Sequence, residues 1–84
     1  MYYEDIVIER QGVDSSNVKS LGYNEEYSIM ALEMLSDTLY YYLDIPKHHF
    51  DTMISWNKSN VEISSIGSYL NRFIKGNYRY VRVR

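Results

Sequence analysis

The sequence predicts an α+β fold, in which a small antiparallel sheet carries two helices packed on one of its faces. Residues 18–45 contain three strand-like segments, of which the second alternates apolar and polar side chains and the third is rich in aromatic and β-branched residues. Residues 66–74 instead place their apolar side chains at helical spacing, and residues 78–84 alternate again. We therefore expect a three-stranded meander, two helices and a C-terminal strand that rejoins the sheet. All of these elements fit the single domain, residues 1–84, that such a length allows.

The meander is expected from residues 18–23, 27–35 and 38–45. In the second of these segments Met30, Leu32 and Met34 share one face, which we assign to the core. Ser36 and Asp37 have the length of a tight hairpin loop. Residues 6–8 are also β-like, so residues 1–8 are expected to form an N-terminal extension or an extra strand.

The first helix is expected directly after the meander. Pro46 ends the third strand because proline lacks the N–H group that a ladder needs, and its fixed φ suits the first turn of a helix. Phe50, Met53 and Ile54 follow at helical spacing and predict about three turns. Residues 57–64 are polar and irregular, which indicates a loop.

The second helix has the clearest pattern in the chain. Its apolar stripe consists of Ile66, Tyr69, Leu70, Phe73 and Ile74. Gly76 can adopt the left-handed conformation that ends a helix. We expect Leu70, Phe73 and Ile74 to lie in the core with the apolar face of the meander.

The final segment carries most of the positive charge. Residues 1–71 hold four basic and eleven acidic side chains, whereas residues 72–84 hold five basic side chains and no acid. At strand period one face is predicted to carry Arg79, Val81 and Val83. The opposite face is predicted to carry Tyr78, Tyr80, Arg82 and Arg84. Positive charge and aromatic rings are thus interleaved on one strand.

Composition excludes several classes of function. Without cysteine there is no disulfide scaffold, thiolate zinc site or thiol nucleophile. A short chain builds little concavity, and the sequence has no P-loop, dinucleotide fingerprint or nucleophile elbow, so we expect no catalysis and no cofactor. His48 and His49 point about 100° apart on a helix and cannot share a metal ion. The longest apolar run, residues 39–43, is too short for a membrane span, and no signal peptide is visible, which predicts a cytoplasmic protein.

The order of short motifs in this chain resembles that of the KTSC domain family. Residues 13–18 read VDSSNV, and a Y-x-Y motif at Tyr40 and Tyr42 precedes Ile45-Pro46. Residues 67–71 then read GSYLN, and residues 74–83 read IKGNYRYVRV. The resemblance covers about residues 9–84, and five motifs in this order are fairly specific. The chain departs from the family pattern in its longer loop at 57–64, in Leu70 where phenylalanine is usual, and in its additional residues 1–8.

The resemblance implies little about activity. The family includes small stand-alone bacterial and viral proteins and a segment at the C-terminus of some lysyl-tRNA synthetases, and it has no established activity. The synthetase context suggests RNA binding.

The best candidate site consists of the aromatic and basic residues near the C-terminus. Tyrosine rings offer planes on which bases stack, and cationic side chains offer contacts to phosphates. The candidate nucleic-acid-binding residues are Arg72, Lys75, Tyr78, Arg79, Tyr80, Arg82, Arg84, Tyr40 and Tyr42. The face that the last two occupy stays open, because both faces of their strand carry large side chains. The alternative interpretation is that the tyrosines pack over the helices while the arginines keep a sheet edge soluble.

Two functions fit this pattern. In the first, the protein is a small non-catalytic module that binds RNA with modest affinity, since the acidic remainder of the chain repels a long polyanion. In the second, the terminal strand adds to the sheet of a protein partner or pairs with a second copy, and Trp56 is a further candidate contact. A polar turn at residues 14–17 can bind a phosphate, but such turns more often satisfy their own backbone.

Overall fold

The computed structural model of the protein describes residues 3–13, 15, 17–58 and 64–84. Five antiparallel strands form one sheet in sequence order: β1 (Arg10–Gly12), β2 (Val18–Asn24), β3 (Ile29–Met34), β4 (Leu39–Tyr42) and β5 (Tyr80–Arg82). The helices α1 (Lys47–Lys58) and α2 (Ser64–Tyr69) lie between β4 and β5, and a π-helical turn over Leu70–Ile74 continues α2. A 3₁₀ turn covers Tyr3–Asp5. The α+β fold, the meander and the terminal strand are confirmed.

The sheet has five strands, so the expected four-strand layout is wrong. The additional strand is β1, in which Gln11 lies opposite Leu21 of β2. Residues 6–8 form no strand, and the ladder begins only at Arg10. The short sequence Arg10–Gly12 contains no apolar residue, so it offers no alternation by which a strand is recognised.

The helices cover one face of the sheet, which we call the helix face. The buried residues of this layer are Val18, Leu21, Met30, Leu32, Tyr42, Ile45, Met53, Ile54, Ile66, Leu70 and Ile74. The predicted core positions Met30, Leu32, Leu70 and Ile74 are confirmed, and Met34 is half-buried. The core therefore lies between β2–β4 and the apolar sides of α1 and α2.

Phe73 is exposed, so its assignment to the core is wrong. The cause is the π-helical turn, in which the amide of Lys75 donates to the carbonyl of Leu70, five residues back, at 2.8 Å. This wider turn keeps Ile74 over the core and turns Phe73 to the surface, where 41% of it is exposed. Gly76 follows at φ +85°, in the left-handed conformation expected of it.

The N-terminal segment covers the second face of the sheet. Ile8 is buried there with Ile29, Ala31, Leu39 and Tyr41. The Tyr41 hydroxyl donates to the carbonyl of Ile6 at 2.6 Å. Gly22 of β2 lets the N-terminal segment pass close over the sheet, because a Cβ at that position would clash with the carbonyl oxygen of residue 9. The strand continues through Gly22 to Asn24.

A β-bulge in β2 brings a buried carboxylate and a hydroxyl together on this second face. The register shifts between Val18, opposite Met34, and Ser20, opposite Glu33. Val18 therefore packs on the helix face, whereas the Ser20 hydroxyl donates to Glu33 on the other face at 2.7 Å. This hydrogen bond holds the pKa of Glu33 below its ordinary value of about 4.5, against the opposing effect of burial.

The C-terminal residue binds the same carboxylate, so its predicted place beside Tyr80 and Arg82 is wrong. The amides of Val83 and Arg84 both donate to the carbonyl of Leu39, at 2.8 and 3.4 Å. Val83 and Arg84 thus both lie opposite Leu39, as two residues do in a β-bulge, and the alternation of side chains between the two faces of the sheet ends there. The Arg84 guanidinium reaches Glu33 at 2.5 Å and also donates to the carbonyl of Asp37 at 3.1 Å.

The π-helical turn predicts unequal effects for two neighbouring apolar residues. Ile74→Ala empties a fully buried position and should lower the free energy of unfolding by about 2–5 kcal/mol. Phe73→Ala removes a largely exposed ring and should cost about 1 kcal/mol or less. Urea denaturation of the two variants measures the difference. Equal losses would indicate a regular α-helix in place of the π turn.

The network around Glu33 predicts a pH-dependent contribution to stability. Because the folded-state pKa of Glu33 is lowered, this contribution is fully present above about pH 4.5 and is lost as the pH falls through the folded-state pKa. Glu33→Gln should therefore lower stability by about 1–3 kcal/mol at pH 7 and by much less at pH 3. Denaturation midpoints at several pH values test this, with exposed Glu26→Gln as the control. A difference that does not change with pH would contradict it.

Candidate functional site

Three tyrosines from two strands meet on the helix face. In the β4–β5 register Tyr42 lies opposite Tyr80, and Tyr40 lies opposite Arg82. The ring centroid of Tyr80 lies 5.4 Å from that of Tyr40 and 5.3 Å from that of Tyr42. Tyr40 and Tyr42 thus take the same face as Tyr80 and Arg82, which answers the question that the sequence left open.

These tyrosines line a cavity of about 400 Å³, which we call the tyrosine cavity. Its lining residues are Leu32, Met34, Ser36, Thr38, Tyr40, Tyr42, Lys75, Gly76 and Tyr80. The floor is formed by β3 and β4, the hydroxyls of Ser36 and Thr38 come from the β3–β4 turn, and Lys75 and Gly76 come from the end of the helical layer. No acidic residue belongs to this lining. The site therefore combines aromatic rings, hydroxyl groups and one ammonium group.

Seven of the described tyrosines have hydroxyls that fall into two groups. Four of them act within the fold: Tyr23 donates to the carbonyl of Ile45, Tyr41 to that of Ile6, and Tyr69 and Tyr78 contact the ring of His49. The hydroxyls of Tyr40, Tyr42 and Tyr80 make no hydrogen bond with any other described residue. Burial raises the pKa of Tyr42, with smaller contributions from Tyr80 and Tyr40. These three hydroxyls therefore lie at a cavity without a partner in the described part of the fold.

The comparisons with known proteins identify the family of this fold. The family profile described as the KTSC domain matches residues 14–78. The protein belongs to the KTSC domain family. An uncharacterised protein of Stutzerimonas stutzeri (strain A1501) is 31% identical over 77 residues, which cover 90% of this chain and 99% of the relative. The crystal structure of a KTSC domain protein from Yersinia pestis has the same fold, with a TM-score of 0.78 at 23% identity over 93% of this chain and 100% of that chain.

Within this KTSC domain, Tyr78 lies apart from the other candidate tyrosines. Its hydroxyl is 3.4 Å from Nε2 of His49, whose Nδ1 is 2.6 Å from the hydroxyl of Tyr69. His49 belongs to α1, and its side chain is buried against α2 and the segment before β5. Burial lowers the pKa of His49, and the neighbouring His48 lowers it further. Tyr78 therefore acts in a packing cluster that fixes the start of β5.

The five C-terminal cations also divide into two groups. Arg84 is held by Glu33, and Arg79 lies 3.7 Å from Asp44. No carboxylate among the described residues pairs with Arg72, Lys75 or Arg82. The Arg72 guanidinium lies 5.3 Å above the Phe73 ring, and Arg82 Nε donates to the carbonyl of Arg84 at 3.2 Å. Three of the predicted cations thus remain available to an anionic ligand.

Several other sequence candidates lie wholly or partly outside the described residues. These are Asp14 and Ser16 of the polar turn, the Trp56 side chain, and residues 59–63 of the predicted loop. Of the described residues of the polar turn, Asn17 donates its amide N–H to the hydroxyl of Ser15 at 3.5 Å. Within the described part of the chain, no group of three or more histidines and carboxylates is placed to hold a metal. No described helix is long and apolar enough to cross a membrane.

Sequence reasoning missed the part of the cavity that comes from the β3–β4 turn. Ser36 and Thr38 have the composition of an ordinary hairpin turn, and Met34 was assigned only to the core. Lys75 is a nucleic-acid-binding candidate from the sequence, and the structure places it in the lining of the tyrosine cavity. The alternation Tyr40-x-Tyr42 was the available signal, because it repeats Tyr78-x-Tyr80 on what became a neighbouring strand.

The buried His49 predicts a loss of stability in mild acid. Its folded-state pKa is lowered, so its contribution to stability is fully present above about pH 6.5 and is lost as the pH falls through the lower folded-state pKa. The unfolding free energy should fall between pH 7 and pH 5, and His49→Phe should remove that fall. Denaturation at each pH measures it, and His48→Gln, which removes only the smaller of the two causes of the lowered His49 pKa, should leave most of the fall in place. An unchanged pH profile in His49→Phe would contradict this assignment.

Proposed function

We propose that this KTSC domain is a non-catalytic cytoplasmic module that binds single-stranded RNA on the helix face, at and around the tyrosine cavity. One observation carries this proposal: Tyr40, Tyr42, Tyr80 and Lys75, named from the sequence for nucleic-acid contacts, gather around one cavity. Single-stranded RNA is recognised by stacking of unpaired bases on aromatic side chains and by cationic contacts to the backbone. Both kinds of group are present here on adjacent elements.

The exposed ring of Tyr80 supports the stacking part of this proposal. Tyr80 is 57% exposed although it packs against two other tyrosines. Because the ring of Tyr80 contacts two other rings and is still more than half exposed, it is held in place and stays accessible to a base. Stacking of one base on such a ring contributes about 1–3 kcal/mol.

The unpaired cations support the electrostatic part. Arg82 is two residues from Tyr80 on the same face of β5, and Lys75 lines the cavity. With Arg72 they offer three phosphate contacts, so log K should fall with log salt concentration at a slope of about −2, from about −0.7 per contact. The acidic side chains elsewhere in the protein repel a polyanion, which favours modest affinity.

The edge of β5 favours a second function, binding of a protein partner by strand addition. β5 is the last strand in the sheet, and no described strand lies on its outer side. Exposed Arg79 and Arg82 flank this edge, so two copies of it repel each other and an acidic partner strand fits better. Light scattering across protein concentrations tests for self-association.

The proposed function is tested by ¹H–¹⁵N NMR titration with a mixed-sequence single-stranded RNA hexamer at low salt. Shifts should concentrate at Lys75, Tyr80 and Arg82, and added salt should reverse them. Lys75→Gln and Arg82→Gln should each weaken binding and reduce the salt slope by about 0.7. Arg79→Gln, which removes a cation already beside Asp44, is the matched control.

Two results would overturn the RNA proposal. Unchanged spectra at millimolar RNA would exclude an affinity of biological use. Shifts centred on Arg79 and Arg84, with no effect of Lys75→Gln or Arg82→Gln, would place binding on the other face of the sheet and remove the argument from the tyrosine cavity.

A further inference from the structure

We infer that the tyrosine cavity binds one nucleoside monophosphate unit, with its base against Tyr80 and its phosphate at Lys75. This inference deepens the proposed function and rests on it for the source of the nucleotide. The same chemical unit occurs within an RNA strand and as a free nucleotide, and the experiment below separates these two sources.

The size of the cavity sets the size of its ligand. Sites for small molecules in proteins enclose roughly 300–1,000 Å³. At about 400 Å³, the tyrosine cavity is at the lower end of this range and admits one nucleotide unit but no stacked run of bases. A longer RNA would therefore insert one unstacked nucleotide and pass its remaining phosphates over the surrounding surface.

The walls of the cavity offer apolar and aromatic surface for the flat faces of a base and hydrogen-bond donors for its edge. Leu32 and Met34 give the floor apolar surface, and the exposed part of the Tyr80 ring offers a surface for stacking. The edge of a base carries ring nitrogens and carbonyl oxygens that accept hydrogen bonds. The hydroxyls of Tyr40 and Tyr42 are donors without a partner among the described residues, so a base can bind them without displacing a bond of the fold.

The charge of the cavity suits a phosphate. Lys75 supplies the one charge in the lining, and it is positive. Two acids are adjacent in sequence to lining residues: Glu33, whose carboxylate is held by Ser20 and Arg84 on the second face of the sheet, and Asp37 in the β3–β4 turn. The Asp37 carboxylate is engaged by Lys19 at 3.0 Å, and that pairing lowers the pKa of Asp37. The anion-repelling charge of this turn is thus neutralised locally.

The π-helical turn adds an independent indication of a binding site. Turns of this type are rare and are found frequently at functional sites. Here the turn ends at Ile74, directly before Lys75 and Gly76, which form one wall of the cavity. The π-helical turn therefore sets the position of Lys75, the residue that we expect to bind the phosphate.

Isothermal titration calorimetry with adenosine, guanosine, cytidine and uridine monophosphates tests the inference. At least one nucleotide should bind with one-to-one stoichiometry, and its unphosphorylated nucleoside should bind more weakly. Tyr80→Ala should weaken binding about five-fold or more, as loss of a stacked base does. Tyr42→Phe, which keeps the ring and removes only the hydroxyl, and Lys75→Gln should each weaken it about three-fold or more.

Matched controls exclude general effects of charge and folding. Lys47→Gln removes an exposed lysine that pairs with Glu25, away from the cavity lining. Tyr27→Ala removes an exposed tyrosine that does not line it. Both controls should bind nucleotide as the native protein does. The NMR spectrum of each variant establishes that it is folded.

The outcomes separate this inference from the proposed function. If RNA binds but Tyr42→Phe and Tyr80→Ala change neither RNA nor nucleotide binding, the cavity inference is wrong and the RNA function stands. If free nucleotides bind with the expected variant effects and the RNA hexamer does not, the cavity is a nucleotide site and the RNA function is wrong. Absence of nucleotide binding at millimolar concentration overturns the inference.

Discussion

Two short helices cannot cover the whole helix face of a five-stranded sheet, and the site follows from this constraint. α1 and α2 pack over the centre of the sheet, where Met30, Leu32 and Leu70 are fully buried. The helical layer ends at Gly76, before it covers the junction of β4, β5 and the β3–β4 turn. Large aromatic residues fill part of that junction, and the space that they leave is the tyrosine cavity.

The regular parts of the fold could be predicted from the sequence because they depend on periodicity. β3 and the two helices were recognised by their apolar spacing and β4 by its aromatic residues, and Pro46 and Gly76 mark boundaries that the structure confirms. β1 lacked such a signal because its residues are polar. The N-terminal segment was equally hidden, since its packing depends on a glycine in another strand, where only the absence of Cβ admits residue 9.

The irregular parts decide which charges and rings are free, and no periodic pattern predicts them. One bulge turns Ser20 toward Glu33, and a second irregularity after Val83 brings Arg84 to the same carboxylate. A strictly alternating strand would instead have placed Arg84 beside Arg82. The ten tyrosines of the chain look alike in the sequence, and only their partners in the fold separate structural hydroxyls from those at the cavity. The candidate site was therefore predictable as a set of residue types but not as a geometry.

The π-helical turn has a consequence for how the chain tolerates a change of length. A turn that closes on the fifth residue contains one residue more than the α-helical turn, so it is equivalent to a single-residue insertion in a helix. Deleting one residue between Leu70 and Lys75 would let the Lys75 amide donate to the same Leu70 carbonyl in a regular α-helical turn. The extra residue is thus absorbed within one turn, and the elements on either side of it, β5 included, keep their relative places.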